Sequence, residues 1–133
     1  MIKIVLISML ILLSGCSDNA QVFIYDKDIQ KNKLKCLNLI VFPPNHTISS
    51  TLKELYTFSN NCKYDLIISY KNSISCNSNQ NAEKKATGMP VSYIRFEIKN
   101  KNKLLYTYYK DLYENINKVV VKDGFKRIKK NLF

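Results

Sequence analysis

Glycine, proline and histidine are scarce in this chain of 133 residues, and tryptophan is absent. There are three glycines, three prolines and one histidine. With so few glycines, the chain has no glycine-rich loop that could cradle a phosphate group. No nucleophile motif accompanies His46, and the sequence G-x-S-x-G does not occur. The sequence therefore predicts a protein that is not an enzyme.

Acidic residues and metal-binding motifs are also few. Ten aspartates and glutamates stand against 21 lysines and arginines, which gives a formal net charge of +11. No two carboxylates share an apolar context at a spacing typical of acid–base catalysis. The four cysteines form no C-x-x-C motif, so a structural zinc site would be short of ligands or would need all three of Cys36, Cys62 and Cys76. We therefore expect neither a metal nor a cofactor.

The N-terminus carries the clearest pattern in the chain. Lys3 is followed by an almost unbroken apolar run from Ile4 to Leu13, and then by the small residues Ser14 and Gly15. A helix that spans a bilayer needs about 20 apolar residues, so this run is too short. A positive start, an apolar middle and small residues before a cleavage site are typical of an export signal.

The stretch Leu13-Ser14-Gly15-Cys16 resembles the lipobox of bacterial lipoproteins. This resemblance implies that a diacylglyceryl group is attached to the Cys16 thiol and that a peptidase cleaves between Gly15 and Cys16. Cys16 would then be the N-acylated, lipid-bearing N-terminus, and two or more acyl chains hold a protein stably on a membrane. The implied organisation is a signal peptide at 1–15, a lipidated tether at 16–21 and one small domain at 22–133.

The residue after the cysteine bears on localisation. In enteric-type sorting of lipoproteins, Ser17 at this place implies the outer membrane, with the protein on its periplasmic face. In a host without an outer membrane, the same lipobox implies the outer face of the cytoplasmic membrane. Either compartment is oxidising and permits disulfides.

The mature chain of 118 residues is long enough for one domain with a modest core. Removal of the signal peptide takes away Lys3 and leaves a charge of +10. A strongly basic exported domain favours an anionic partner, such as phospholipid headgroups, lipopolysaccharide phosphates, an acidic glycan or an acidic protein patch. The compartment argues against nucleic acid. The alternative is a diffuse lysine surface that has no partner.

Apolar periodicity predicts an α+β fold. A small mixed sheet would be built from a β-α-β unit followed by a β-hairpin, with helices on one face and a basic helix at the C-terminus. Strands are expected at 22–25, 36–42, 64–70, 93–99 and 104–109, helices at 48–60 and 114–132, a charged loop at 26–35 and a polar loop at 73–88.

Three local details follow from the same patterns. The run from Cys36 to Phe42 is nearly all apolar, which predicts a strand covered on both faces or at the sheet centre. Thr47 is the expected N-cap of the first helix, and a capping box at Thr51–Glu54 is the alternative. The clean alternation from Tyr93 to Lys99 predicts one buried and one wet face.

The β-α-β topology bears on how the remaining cysteines pair. Cys36 opens one predicted strand and Cys62 precedes the next, so a parallel arrangement places both at the same end of the sheet. We therefore expect a Cys36–Cys62 disulfide, worth roughly 3 kcal/mol. A Cys62–Cys76 bridge and three reduced thiols remain as alternatives, and Cys76 would be the leftover thiol in the first case.

Tyrosines and basic residues in the C-terminal half form the candidate partner surface. Amphipathic aromatic rings among cations suit a sugar, an acidic polymer or a protein partner. The alternatives are tyrosines that simply cover the sheet and a basic helix whose outer face is merely solvated, rather than resting on an anionic membrane. The candidate residues are Tyr93, Arg95, Tyr106, Tyr108, Lys126 and Arg127.

These patterns favour a lipid-anchored periplasmic lipoprotein with a non-enzymatic binding or scaffolding role in assembly or maintenance of the cell envelope. The alternatives are an accessory or pilotin lipoprotein of a surface or secretion apparatus, and a surface-exposed adhesin. The order of elements is also similar to that of the lipopolysaccharide-assembly lipoprotein, a similarity of topology alone.

Overall fold

The computed structural model of the protein describes residues 19–72 and 88–133. In chain order, its elements are β1 (Ala20–Ile24), α1 (Asp28–Lys31), β2 (Asn38–Phe42), α2 (His46–Leu55), β3 (Tyr64–Lys71), β4 (Ser92–Asn100), β5 (Lys103–Leu112) and α3 (Lys118–Leu132). Most of the loop predicted at 73–88 lies outside the described residues.

The five strands form one mixed sheet in the order β1-β5-β4-β3-β2. Strands β2 and β3 are parallel, and the other neighbouring pairs are antiparallel. The predicted α+β class, the parallel β-α-β unit and the hairpin are therefore confirmed. The predicted central place of β2 is wrong: β2 lies at an edge, with Ile40 and Phe42 exposed by 40% and 69%.

One face of the sheet is buried beneath the helices. The alternation in β4 is confirmed, because Ile94, Phe96 and Ile98 are completely buried. In α3, the apolar stripe that includes Phe125 and Ile128 packs onto this face, as helical periodicity requires. The resulting core also holds Leu37, Ile48, Leu52, Leu66, Ile68, Leu105, Tyr106, Tyr108, Val121 and Leu132.

A register shift in the hairpin corrects part of the predicted partner surface. Lys99 lies opposite Leu104, but Ile98 lies opposite Tyr106, so Leu105 is the extra residue of a bulge. Without the bulge, Tyr106 would lie opposite Glu97, on the face away from the helices. The shift instead turns Tyr106 and Tyr108 into the core, where they are 0% and 1% exposed. Neither residue belongs to a partner surface.

Helix boundaries differ from the prediction because local hydrogen bonds decide them. The N-cap of α2 is Asn45, whose side-chain oxygen accepts a hydrogen bond from the Ile48 N–H at 3.0 Å, so the prediction of Thr47 is wrong. Asn117 caps α3 in the same way, and the helix begins four residues later than predicted. Within the predicted loop at 26–35, one helical turn forms α1 and buries Ile29.

The expected Cys36–Cys62 disulfide is present. The S–S distance is 2.04 Å and the two α-carbons lie 5.8 Å apart. Because Cys36 comes just before β2 and Cys62 just before β3, the bridge joins the starts of two parallel neighbours. It therefore ties the edge strand β2 to the sheet.

Candidate partner surface on the open face of the sheet

The side of the sheet that faces away from the helices is called here the open face. Strand alternation places on it the side chains that lie between the core positions of each strand. One row across four neighbouring strands runs through Gln21, Tyr109, Arg95 and Ser69, and Phe42 continues it on β2. This face combines aromatic, apolar and charged groups.

An arginine in contact with two tyrosines occupies the centre of the open face. The rings of Tyr93 and Tyr109 are stacked with their centroids 5.7 Å apart. The guanidinium carbon of Arg95 lies 6.0 Å from the Tyr93 ring centre and 5.6 Å from that of Tyr109. Cation–π contacts of this length hold the arginine over the rings. The Arg95 side chain is still 43% exposed, so a partner can reach it.

Ion pairs and a hydrogen bond surround this group. Glu97 lies 3.7 Å from Arg95 and 3.5 Å from Lys99, and the Tyr109 hydroxyl donates a hydrogen bond to Asp111 at 2.7 Å. Burial, followed by the hydrogen bond to the Asp111 carboxylate, raises the pKa of Tyr109. Partly exposed ion pairs contribute little to stability. The main effect of the Glu97 contact is therefore to orient the Arg95 guanidinium.

Aromatic side chains border the open face at β1. Phe23 and Tyr25 are 51% and 58% exposed, and their ring centres lie 6.4 Å apart. Together with Leu104, Thr107, Tyr109 and Arg95 they line a shallow depression of about 380 Å³. The buried Thr107 hydroxyl has no hydrogen-bond partner among the described residues. The mixture of aromatic, apolar and charged side chains in the depression suits an extended partner.

Strand β2 adds a second apolar border at the other edge. Ile40 lies beside Ile67 on the open face, and Phe42 lies beside Ser69. The exposed Phe42 is followed by Pro43 and Pro44, which cannot donate hydrogen bonds to a ladder. The open face therefore has a charged centre between two apolar borders.

The structure separates the sequence-predicted surface residues into three groups. Tyr93 and Arg95 lie together on the open face, whereas Tyr106 and Tyr108 are buried in the core. The other two, Lys126 and Arg127, are carried by α3 on the opposite side of the sheet. Sequence reasoning missed Phe23 and Tyr25, although their alternation with Val22 and Ile24 indicates that they share a face.

A separate basic groove lies on the helix side. It is lined by Lys110 of β5 and by Asp123, Lys126, Arg127 and Lys130 of α3, and its volume is about 290 Å³. Close by, the buried Tyr106 hydroxyl accepts a hydrogen bond from the Asn131 side chain at 3.1 Å. Burial raises the pKa of Tyr106, and the hydrogen bond from Asn131 and the positive charge of Arg127 partly offset this increase.

Two negative findings concern only the parts of the chain that the structure describes. Within 19–72 and 88–133, no helix is long and apolar enough to cross a membrane. Those same ranges contain no group of three or more histidine, cysteine, aspartate or glutamate side chains that could hold a metal ion. The predicted lipidation site at Cys16 and the cleavage site after Gly15 lie outside them.

Comparison with known proteins adds no relative. The chain matches no protein-family model, no curated protein and no solved structure.

Proposed function

We propose that this protein is a lipid-anchored lipoprotein of the bacterial cell envelope that binds a partner through its open face. Its role is binding or scaffolding in envelope assembly or maintenance, without catalysis. The lipobox resemblance at Leu13–Cys16 supports the anchor. The observation that carries the binding role is Arg95 held over two tyrosines on a sheet face that has exposed aromatic borders.

Residue types on the open face are those that contribute most to binding. Tyrosine, phenylalanine and arginine are enriched in interfaces, and buried aromatic and arginine anchors supply much of the binding energy. Arg95 is pre-oriented by Tyr93, Tyr109 and Glu97, so less conformational entropy is lost when a partner binds it. Phe23 and Tyr25 add exposed apolar area beside it.

The proposed partner is an envelope protein or an anionic envelope polymer. The mature chain carries a charge of +10, which attracts anionic molecules from a distance. Arg95 matches carboxylate and phosphate groups by geometry, because its guanidinium presents a planar fork of donors. We place the protein on the periplasmic face of the outer membrane, as the Ser17 sorting pattern implies.

The anchor is tested by labelling cells with a radioactive or clickable palmitate. We expect the protein to incorporate the label and to sediment with membranes, and the Cys16→Ser variant to do neither. Recovery of the unmodified protein in the soluble fraction would remove the basis for the anchor.

The binding role is tested by crosslinking in cells that express the full chain tagged at Phe133, followed by purification and mass spectrometry. Arg95→Glu should lose a crosslinked envelope partner that the wild type retains. Lys53→Glu makes the same change of charge on α2, on the other side of the sheet, and should retain it. Equal recovery with both variants would overturn binding through the open face. Recovery of secretion-apparatus components would replace envelope assembly with the accessory role.

A further inference from the structure

The basic groove on the helix side has no part in the binding role of the open face. Four cations, Lys110, Lys126, Arg127 and Lys130, line it together with one carboxylate, Asp123. We propose that this groove binds the phosphate groups of anionic phospholipids in the leaflet that holds the lipid anchor. The proposal rests on the anchored lipoprotein described above and adds a second contact with the same membrane.

The position of the groove relative to the anchor supports this assignment. Ala20, the first residue of β1, is paired with Lys110. Three residues, 17–19, separate the lipid-bearing cysteine position from Ala20. Even fully extended, the four residue steps from Cys16 to Ala20 span at most about 14 Å. The anchor therefore keeps the Lys110 end of the sheet, and the groove beside it, close to the membrane surface.

The composition of the groove suits phosphate groups at a membrane surface. Lysines on flexible stems can follow the positions of several headgroups, while Arg127 offers a planar set of donors. The surface potential of an anionic leaflet falls off within a Debye length, about 8 Å at physiological salt. A tether of at most about 14 Å allows the groove to come within that distance of the headgroups.

Stabilisation of the helix does not by itself explain the groove. Cations in the last turn of a helix interact favourably with its dipole, which accounts for Lys129 and Lys130. Lys110 is on a strand, beside Ile94 on the face that the helices cover, where neighbouring positions hold apolar side chains. It adds a charge to the same groove from a different element. Cations from two elements converge there, which a dipole effect does not require.

The proposed contact would orient the domain. Helix α3 and the groove lie on one side of the sheet, and the open face lies on the other. With the groove against the headgroups, Arg95 and its tyrosines are directed away from the covered side and stay accessible to a partner.

The test uses the mature chain, residues 16–133, with Cys16→Ser so that acyl chains do not mask the contact. Binding is measured by sedimentation with vesicles of phosphatidylcholine alone and with vesicles containing about 30 mol% phosphatidylglycerol. We expect binding to the anionic vesicles only, and weaker binding as salt is raised. Substituting Lys126→Gln and Lys130→Gln together should weaken it about 30-fold, given about 1 kcal/mol for each lysine near such a surface.

The matched control removes the same charge elsewhere. Lys33→Gln and Lys35→Gln together change two exposed lysines outside the groove and should leave most of the binding intact. Equal weakening by the two double variants would overturn the proposal, because it would show a response to net charge alone. Equal binding to both vesicle types would also overturn it. Neither result would affect palmitate labelling or the Arg95→Glu crosslinking result, so the two proposals fail separately.

Discussion

Helix α3 packs onto Phe96 at Gly124, at a distance that leaves no room for a side chain. A methyl group on the Gly124 α-carbon would lie 2.5 Å from Phe96 Cε2 and 2.7 Å from Cζ. Glycine within a helix costs about 1 kcal/mol relative to alanine. Its presence at the centre of α3 is therefore explained by close packing against the ring, which also meets Tyr108 edge-on at 5.4 Å.

We predict that Gly124→Ala destabilises the domain despite the better helix propensity of alanine. Overpacking costs about 1–3 kcal/mol, because the Phe96 ring has to move within a filled core. After the helix gain is subtracted, the free energy of unfolding should still fall, by up to about 2 kcal/mol. Urea denaturation measures this change. Lys122→Ala, at an exposed site of the same helix, is the control, and an equally stable Gly124→Ala protein would contradict the packing argument.

We predict that Asn45→Ala lowers the free energy of unfolding by about 1 kcal/mol, because it removes the acceptor for the Ile48 N–H. Thr47→Ala should have a much smaller effect, since Thr47 is already inside the helix. Thermal denaturation followed by circular dichroism compares the two variants. A larger loss for Thr47→Ala would show that the cap lies where the sequence pattern placed it.

Removal of the disulfide should have the largest effect on stability. A bridge over 26 residues restricts the unfolded chain, so we expect the Cys36→Ala and Cys62→Ala double variant to lose about 3 kcal/mol. Chemical denaturation with and without a reductant measures it. The wild type should approach the double variant when reduced. Cys76→Ala is the control. Peptide mapping of this variant under non-reducing conditions should still recover the Cys36–Cys62 bridge. Loss of that bridge in the variant would indicate a different pairing.

Stability should fall at alkaline pH, and Tyr106 should account for part of the fall. Burial raises the pKa of Tyr106 above its ordinary value of 10.0, so the folded state favours the neutral phenol. The contribution of Tyr106 to the free energy of unfolding is complete below pH 10 and is lost as the pH rises through the higher folded-state pKa. Denaturation of the wild type and of Tyr106→Phe at neutral pH and above pH 10 measures it.

The phenylalanine variant should lose stability at neutral pH, because the hydrogen bond from Asn131 is lost. Its further loss at alkaline pH should be smaller than that of the wild type. Tyr56 and Tyr109 also have raised pKa values, so some alkaline loss should remain. An equal alkaline loss in both proteins would exclude Tyr106 as a contributor.

Local patterns predicted the elements well, because each depends on a few neighbouring residues. The alternation through Ile94, Phe96 and Ile98 identified the buried face of β4, and the β-α-β order identified the parallel pair that the disulfide joins. The C-terminal helix and its apolar stripe were also predicted, although its first turn was placed too early.

Properties that depend on distant residues could not be predicted in the same way. The apolar run of β2 reads as a central strand, but its place at the edge is set by the order of the whole sheet. The bulge at Leu105 lies opposite Ile98 and Lys99 of β4 and inverts the faces of the residues that follow it in β5. Nothing in the tyrosine spacing indicates this bulge. It is the reason that two of the six candidate surface residues, Tyr106 and Tyr108, are buried.

Strand β1 has a mechanical consequence for a domain that is anchored at Cys16. It is a five-residue edge strand with β5 as its neighbour in the sheet, and it begins at Ala20, inside the predicted tether of 16–21. A force that pulls the anchor away from the sheet acts on the first hydrogen bonds of β1, which break one after another instead of sharing the force. Release of the strand would lengthen the tether by about 17 Å. The other four strands, with β2 fastened by the disulfide, would remain paired, so in the proposed lipid-anchored protein β1 would act as an extensible link between membrane and domain.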